Sequence, residues 1–596
     1  MPSACLVPWG HRVERNKPKP REVLFVRSPH WFLFSALSLP SLATAWPNSP
    51  LVNVPVCTAP QSQQGARAVE DGAGGAIVAW EAYGSGGIHG VFSQHLLASG
   101  VVDPAWPADG APLCSALYGG LPAIASDGAG GATVTWTDAR TGNYDVYAQR
   151  ILASGEVDPA WPADGLPVCV AGDRQGNPTI VSDGQNGAII TWEDFRDGSD
   201  YDVYAQRVLA SGTVDPGWPV NGRALCTSAY QQSNPRIVPD DSGGAIVTWR
   251  DSRSLTDFDP YVQRIDGAGA VLWTLGGVRL CSNPSDQYWP DLVPDGKGGA
   301  IVVWNDYRNG AGDIYAQRVN PVGNVQWTVD GVVVCDNPLS QSFFFYSQIA
   351  SDRQGGVIVS WVDAGDLVRA QRVSGSGARQ WSPTGVALCT APSEQGPPFP
   401  IPDGAGGAIV AWVDLRVPNP DPDLNAPDIY AQRVRADGTV DWPLDGLAIC
   451  AAEAAQDNPT LIPDQHGGVI AFWDDGRNGW SDIYAQRVDT SGVLGEPVVS
   501  VVEDRPAGPD LSGVWPNPVA NHWLRIRFVL TGTSVATLEL LDVMGRVVEA
   551  REVGSLGAGE HTVELRSSAS LAPGLYLVRL RTEGAVRTRS VTVLGP

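Results

Sequence analysis

Positive charge is scarce in this sequence: 40 Lys and Arg stand against 64 Asp and Glu, a formal net charge of −24. Contact with a phosphate backbone needs clustered cations, so a general nucleic-acid binder is disfavoured, and an anionic membrane surface is disfavoured for the same reason. Charged residues of both signs are only 17 % of the chain, and long helical patterns are lacking. Apart from a short run near the start, no stretch approaches the ~20 apolar residues that span a bilayer. Catalytic signatures are also missing. His89, His95, His466, His522 and His561 are scattered without metal spacing, and there is neither a G-x-S-x-G elbow nor a G-x-x-x-x-G-K-[ST] loop. Glycine and proline are plentiful instead, 68 and 48 residues beside 43 % hydrophobic residues. That combination describes a folded, turn-rich, all-β chain with no expected metal or cofactor site.

The first 45 residues read as a secretory signal peptide. Arg12, Arg15, Lys17, Lys19, Arg21 and Arg27 precede an apolar run from Trp31 to Leu42, which ends in Ala43, Thr44 and Ala45. The run is too short for a transmembrane anchor and is interrupted by Pro40. Cleavage after Ala45 removes six basic and two acidic residues, so the exported chain moves from −24 to −28.

The remainder repeats itself every ~56 residues, a period that means a propeller, a solenoid or an array. Trp80, Trp136, Trp192, Trp249, Trp304, Trp361, Trp412 and Trp473 mark the copies. In the fullest copy, residues 177 to 226, apolar positions alternate in TIVS, AIITW and VYAQRV, which gives three strands and a fourth ending at Cys226. The first two strands are joined by an Asp-Gly turn, DGQNG in this copy, explained by a hairpin that needs positive φ and a side-chain acceptor. It lacks the alternating oxygen ligands of a calcium loop.

Four strands repeated eight times resemble the blades of a β-propeller, and the turn before the Trp strand is loosely similar to the Asp-box of neuraminidase-type propellers. Each of the first seven units is followed by a Trp-to-Cys segment, whereas the eighth runs into SGVLGEPVVSV; the missing copy lies at Trp46 to Cys57. A first strand that completes the last blade hides the edges of an open sheet, so residues 46–502 are expected to form one closed eight-bladed propeller. One cysteine per blade invites disulfides after a signal peptide, but equivalent positions of neighbouring blades lie beyond bridging distance, and small buried hydrophobes are expected instead. The recurring Asp-x-Arg after the Trp strand, and the arginine closing Tyr-x-Gln-Arg, repeat around the ring, whereas an active site is asymmetric. Structural pairing of Arg with Asp and carbonyls is expected.

Departures from the repeat are better clues to function. Blade six shortens its loop to residues 363–369 and enlarges its entry to SQSFFFYSQ; blade seven lengthens the corresponding loop to residues 416–428. Phe343, Phe344, Phe345 and Tyr346 with Asp366, Asp421, Asp423 and Asp428 are the candidate ligand-binding patch, aromatic and acidic, suited to a glycan, a peptide or a cation. Plugging of a gap by the aromatics is the competing explanation.

Composition changes at the Pro and Gly linker 503–513. Alternating runs in residues 514–596 read as a small antiparallel sandwich. WPNPV at 515–519, LELLDVMGRVV at 538–548, LAPGLYLVRLR at 571–581 and TRSVTVL at 588–594 look like the C-terminal sorting domain of type IX secretion cargo, similar to the FlgD-type Ig-like fold. The resemblance implies the type IX machinery as partner and an extracellular or outer-membrane cell-surface destination. The expected function is a non-catalytic binding module for a glycan, protein or small ligand. A polysaccharide-acting hydrolase and a structural surface-layer protein remain open as alternatives.

Overall fold

The computed structural model describes residues 46–495, apart from 85–87, 115–118, 336–340, 343–347 and 417–425, and residues 510–593, apart from 516–522, 531–535, 543–544, 554–555, 558, 567–570, 573 and 583–585. No α-helix occurs among the described residues, and none of their segments is a helix long and apolar enough to cross a membrane. The chain divides into two compact units at residues 496 and 497.

The first unit is a β-propeller built from antiparallel four-stranded sheets. Blade three runs Gln175–Ser182, Ala188–Asp194, Asp202–Val208 and Arg223–Cys226, from inside to outside. Its hairpin turn works as its composition requires: Asp183 Oδ1 accepts from the N–H groups of Gln185 at 2.8 Å and Gly187 at 2.9 Å. Gly187 is needed for close approach, because a Cβ there would lie 2.5 Å from the carbonyl oxygen of Val208. The other oxygen, Oδ2, takes Arg207 Nη2 at 2.7 Å, and Arg207 Nη1 reaches the Gly267 carbonyl of the next blade. One aspartate therefore fixes the turn and holds the arginine that links neighbouring sheets.

The eight marker tryptophans are all fully buried. Trp192 Nε1 donates to Asp194 Oδ2 at 2.7 Å, and Arg196 forks onto both oxygens of the same carboxylate while its guanidinium carbon lies 3.8 Å from the Tyr204 ring centroid. Cys169 Sγ sits 3.8 Å from Asp194 Oδ2, and Arg196 Nη2 donates to it. The cysteine of each blade is buried, and none forms a disulfide among the described residues.

The last sheet orders its strands Val54–Cys57, Asp482–Val488, Val469–Asp475 and Gln456–Pro463. Val54 pairs with Ala485 and Cys57 with Ile483. Arg477 Nη2 donates to Asn53 Oδ1 at 2.8 Å, where other blades offer it a carbonyl of their own outer segment, such as that of Asn221 for Arg196. The start of the described chain thus supplies the outer strand of the final blade and leaves no open sheet edge there.

In the second unit a three-stranded sheet, with Trp523–Leu530 at its centre, and a four-stranded sheet containing Ala536–Asp542 and Gly574–Thr582 share one core. Leu524, Ile526 and Phe528 alternate inward from the first, and Leu538, Leu540, Val578 and Leu580 from the second.

Candidate active site

One face of the ring is formed by the starts of the inner strands and by the loops between second and third strands. Six of the inner strands open on a buried glutamine whose amide donates to the entering connection, as Gln232 Nε2 does to Tyr230 O at 2.6 Å and Gln456 Nε2 to Ala454 O at 2.7 Å. A register shift follows within two residues, with positive φ at Asn177, Asn234, Trp289 and Asn458. In six blades the ladder partner of the last residue before the shift is the residue directly after the marker tryptophan, as Asp457 pairs with Asp474 and Ser233 with Arg250. Here the repeat abandons uniformity: the position holds Glu81, Thr137, Glu193, Arg250, Asn305, Val362, Val413 and Asp474.

Blades eight and one gather acid groups at this level. Asp474 is buried and accepts from Gly65 N, in the first blade, at 3.1 Å and from Asn458 Nδ2 at 2.9 Å. Burial pushes its pKa up to about 6, against the opposing pull of these donors and of Arg67. Asp457, its ladder partner, reaches solvent yet is crowded by protein, which raises its carboxyl too. In the first blade, Tyr83 Oη donates to Glu81 Oε1 at 2.9 Å; burial and this bond push the phenol up to about 12. Glu193 makes the same interblade clasp as Asp474, accepting from Asn177 Nδ2 and Asn234 N. The Asp457–Asp474 pair is peculiar to blade eight, since the Asp457 position holds Gln64, Gly120, Gly176, Ser233, Tyr288, Ser342 or Gly396 elsewhere.

Of the patch expected from sequence, Phe343, Phe344, Phe345, Tyr346, Asp421 and Asp423 lie outside the described residues. Asp366 is exposed on a tight turn, its N–H on the Asp363 carbonyl. Asp428 is buried at a strand start opposite Asp414, and burial beside that second aspartate pushes its pKa up to about 7. The same position recurs as Asp145, Asp202, Asp259, Asp313 and Asp482, and burial raises the carboxyl at Asp145, Asp202, Asp259 and Asp482 too, so the feature belongs to the repeat. Asp457 and Asp474 meet within one hairpin, and only ring closure brings the first blade's Gly65 onto Asp474; the group escaped sequence reasoning because its position was taken as one more copy of the repeat. The signal available was the change of residue type after each marker tryptophan.

Residues 513–593 match the family model described as the secretion system C-terminal sorting domain. The chain is a type IX export substrate and a secreted or cell-surface protein. No curated protein matches it. Among solved structures it is similar to the α-L-arabinofuranosidase Arb93A from Fusarium graminearum in complex with an iminosugar inhibitor, at 11 % identity and a TM-score of 0.29, covering 53 % of this chain and 93 % of that one. A Penicillium chrysogenum α-L-arabinanase complexed with arabinobiose shows 12 % identity and a TM-score of 0.29, over 52 % and 92 % of the two chains. An endo-arabinase from Bacteroides thetaiotaomicron shows 12 % identity and a TM-score of 0.25, over 45 % and 96 %.

The expected non-catalytic binding module is corrected by these comparisons, whose structures are named as glycoside-cleaving enzymes. The physical reason it was reached is that a search for known catalytic motifs does not register two aspartates that come together only as ladder partners, Asp457 opposite Asp474.

Proposed function

We propose that the chain is a secreted hydrolase acting on polysaccharide, with its chemistry at the mouth of the ring where blades eight and one meet. The observation that carries this reading is the ladder pair Asp457 and Asp474, two carboxyl groups on one face of a rigid sheet, both raised above the ordinary range. Glycoside cleavage needs one carboxyl that holds a proton near neutral pH and a second carboxylate that activates water or attacks the sugar. Asp474, at about 6, fits the acid; Asp457, open to solvent, fits its partner. The domain plan that goes with this function is a signal peptide at 1–45, the eight-bladed ring at 46–502, a linker at 503–513 and an Ig-like sorting domain at 514–596.

The test is release of new reducing ends from a panel of soluble and insoluble polysaccharides by the purified chain. Asp474→Asn and Asp457→Asn each lower the rate by about 100-fold or more, the usual worth of a general acid or base, whereas Asp366→Asn leaves it unchanged. Absence of hydrolysis across the panel, or full activity in Asp474→Asn, defeats the assignment.

A further inference from the structure

The recurring arginines of the blades end on carboxylates. Arg196 Nη2 lies 2.5 Å from Asp194, Arg207 Nη2 2.7 Å from Asp183, and the corresponding residues of other blades do the same. Arg250 departs from this rule. It follows Trp249, at the position filled by Glu193 in the preceding blade. Its Nε donates to Ser233 Oγ at 2.7 Å. Its guanidinium carbon is 4.9 Å from the ring centroid of Phe258 and 5.0 Å from that of Trp289, in the next blade. No carboxylate among the described residues forms an ion pair with it, and its terminal nitrogens have no protein acceptor there. Glu193, the acid whose charge acts on Arg250, is occupied by Asn177 and Asn234. Burial lowers the pKa of Arg250, the direction expected of a cation short of partners.

Its surroundings narrow what it would take. Phe258 and Tyr288 lie 5.5 Å apart, Tyr288 and Tyr307 5.6 Å, and Tyr307 is 38 % exposed. One blade earlier, on the same face, the exposed Arg174 rests over Phe195 and Tyr201 at 5.6 and 5.2 Å. Aromatic faces stack on the C–H face of a sugar ring, and a guanidinium fork matches a carboxylate through two parallel N–H···O bonds. In a chain of net charge −24, a half-buried arginine without an acidic partner is a specific device rather than part of a basic surface.

We propose that Arg250 anchors the carboxylate of an acidic sugar, so that the ring takes a uronic-acid polysaccharide whose sugars stack on the Phe258, Tyr288 and Tyr307 wall. This deepens the hydrolase reading and rests on it for the cleavage step alone. A polymer held there extends across the channel mouth toward Asp457 and Asp474.

The experiment is calorimetric titration of the full-length chain, and of its Asp474→Asn form to prevent turnover. The probes are oligomers of galacturonate, glucuronate and mannuronate, each beside its methyl ester at fixed ionic strength. At least one acid oligomer binds tenfold or more tighter than its ester. Arg250→Gln abolishes that preference while sparing ester binding, and Arg250→Lys, which keeps the charge without the fork, retains only part of it. Thermal melting of both variants checks folding. Equal affinity for acid and ester in all three series, or a preference untouched by Arg250→Gln, overturns the proposal. So does tighter binding of a sulfated neutral glycan than of any uronate. Acid-selective binding without cleavage retires the hydrolase and leaves this assignment standing; cleavage without acid selectivity does the reverse.

Discussion

The imidazole of His95 lies 3.0 Å from the carboxylate of Asp71, in the position where the seven later blades place an arginine on the aspartate of the hairpin turn. Its other ring nitrogen is 2.8 Å from Asp103, and the ring packs 5.7 Å from that of Trp106. One blade of the ring is therefore held by an imidazole, whose ordinary pKa of about 6.5 lies near physiological pH, where the others use a guanidinium that stays charged.

The two aspartates raise the pKa of His95 against the opposing effect of burial, and the His95 bond helps to lower that of Asp71. A raised folded-state value means that the His95 contribution is fully present below its ordinary pKa of about 6.5 and is lost as pH rises through the higher folded value. The Asp71 contribution is present above its ordinary carboxylate range and lost in acid. Between pH 6 and 8.5 the wild type should lose more stability than His95→Arg, with a difference in thermal midpoint of about 2 °C or more. Parallel melting curves for the two proteins over that range contradict the assignment.

Asp202 gives a second pH effect, at a different place. Burial, with Asp197, Asp200 and Asp194 nearby, pushes it up to about 7. Its neutral form contributes stability that is complete below pH ~4 and disappears through pH ~7, because above that a charge must be kept inside the sheet. Asp202→Asn should stabilise the protein by about 1–2 kcal/mol at pH 8 and by nothing measurable near pH 4, as followed by urea unfolding.

Ring closure predicts a localised weakness. Trp46 is 3 % exposed, its Nε1 donates to the Ala98 carbonyl at 2.8 Å, and its ring covers Gly100, where a Cβ would lie 2.7 Å from it. Trp46→Ala should cost about 3–5 kcal/mol. Hydrogen exchange should accelerate first in Asp482–Val488, the strand that loses its outer neighbour when Val54–Cys57 comes away. Uniform acceleration around all blades is the result that speaks against a closing strand.

Asp194 serves Trp192, Arg196 and Cys169 at once and has no solvent exposure. Asp194→Ala leaves a guanidinium and an indole N–H without their acceptor, and should destabilise by about 3–5 kcal/mol. Removing the exposed pair Arg546 and Asp542 should cost about 1 kcal/mol or less.

The thiols should be silent in the folded protein. Burial pushes Cys169, Cys281 and Cys450 up to about 12, so almost no thiolate exists at pH 8. Iodoacetamide should label none of the eight blade cysteines under native conditions and all of them in denaturant, read by mass spectrometry. Labelling of Cys169 in the native state would show that its blade opens.

Much of the fold is legible in residue order because the interactions behind it are local. Alternation in AIITW specifies a strand, DGQNG specifies its turn, and the absence of a Trp-to-Cys segment after the last copy points to a partner elsewhere. The pairing of arginines with aspartates was equally readable as chemistry. Which aspartate each arginine takes was not: Arg207 reaches back to Asp183 in the turn, while Arg196 folds onto Asp194 two residues away.

Sequence by itself determined the strand period, the turns, the C-terminal sorting domain and the repetition, since each depends on neighbours within a few residues, on a short set of phrases or on copying of one unit. Only the tertiary structure decided which departures from the repeat share a surface. Asp474 meets Gly65 across 409 residues, and Arg250 leans on Trp289 of the following blade. Such encounters depend on the circular packing of whole sheets, where a side chain's neighbours are set by the angle between blades rather than by distance along the chain.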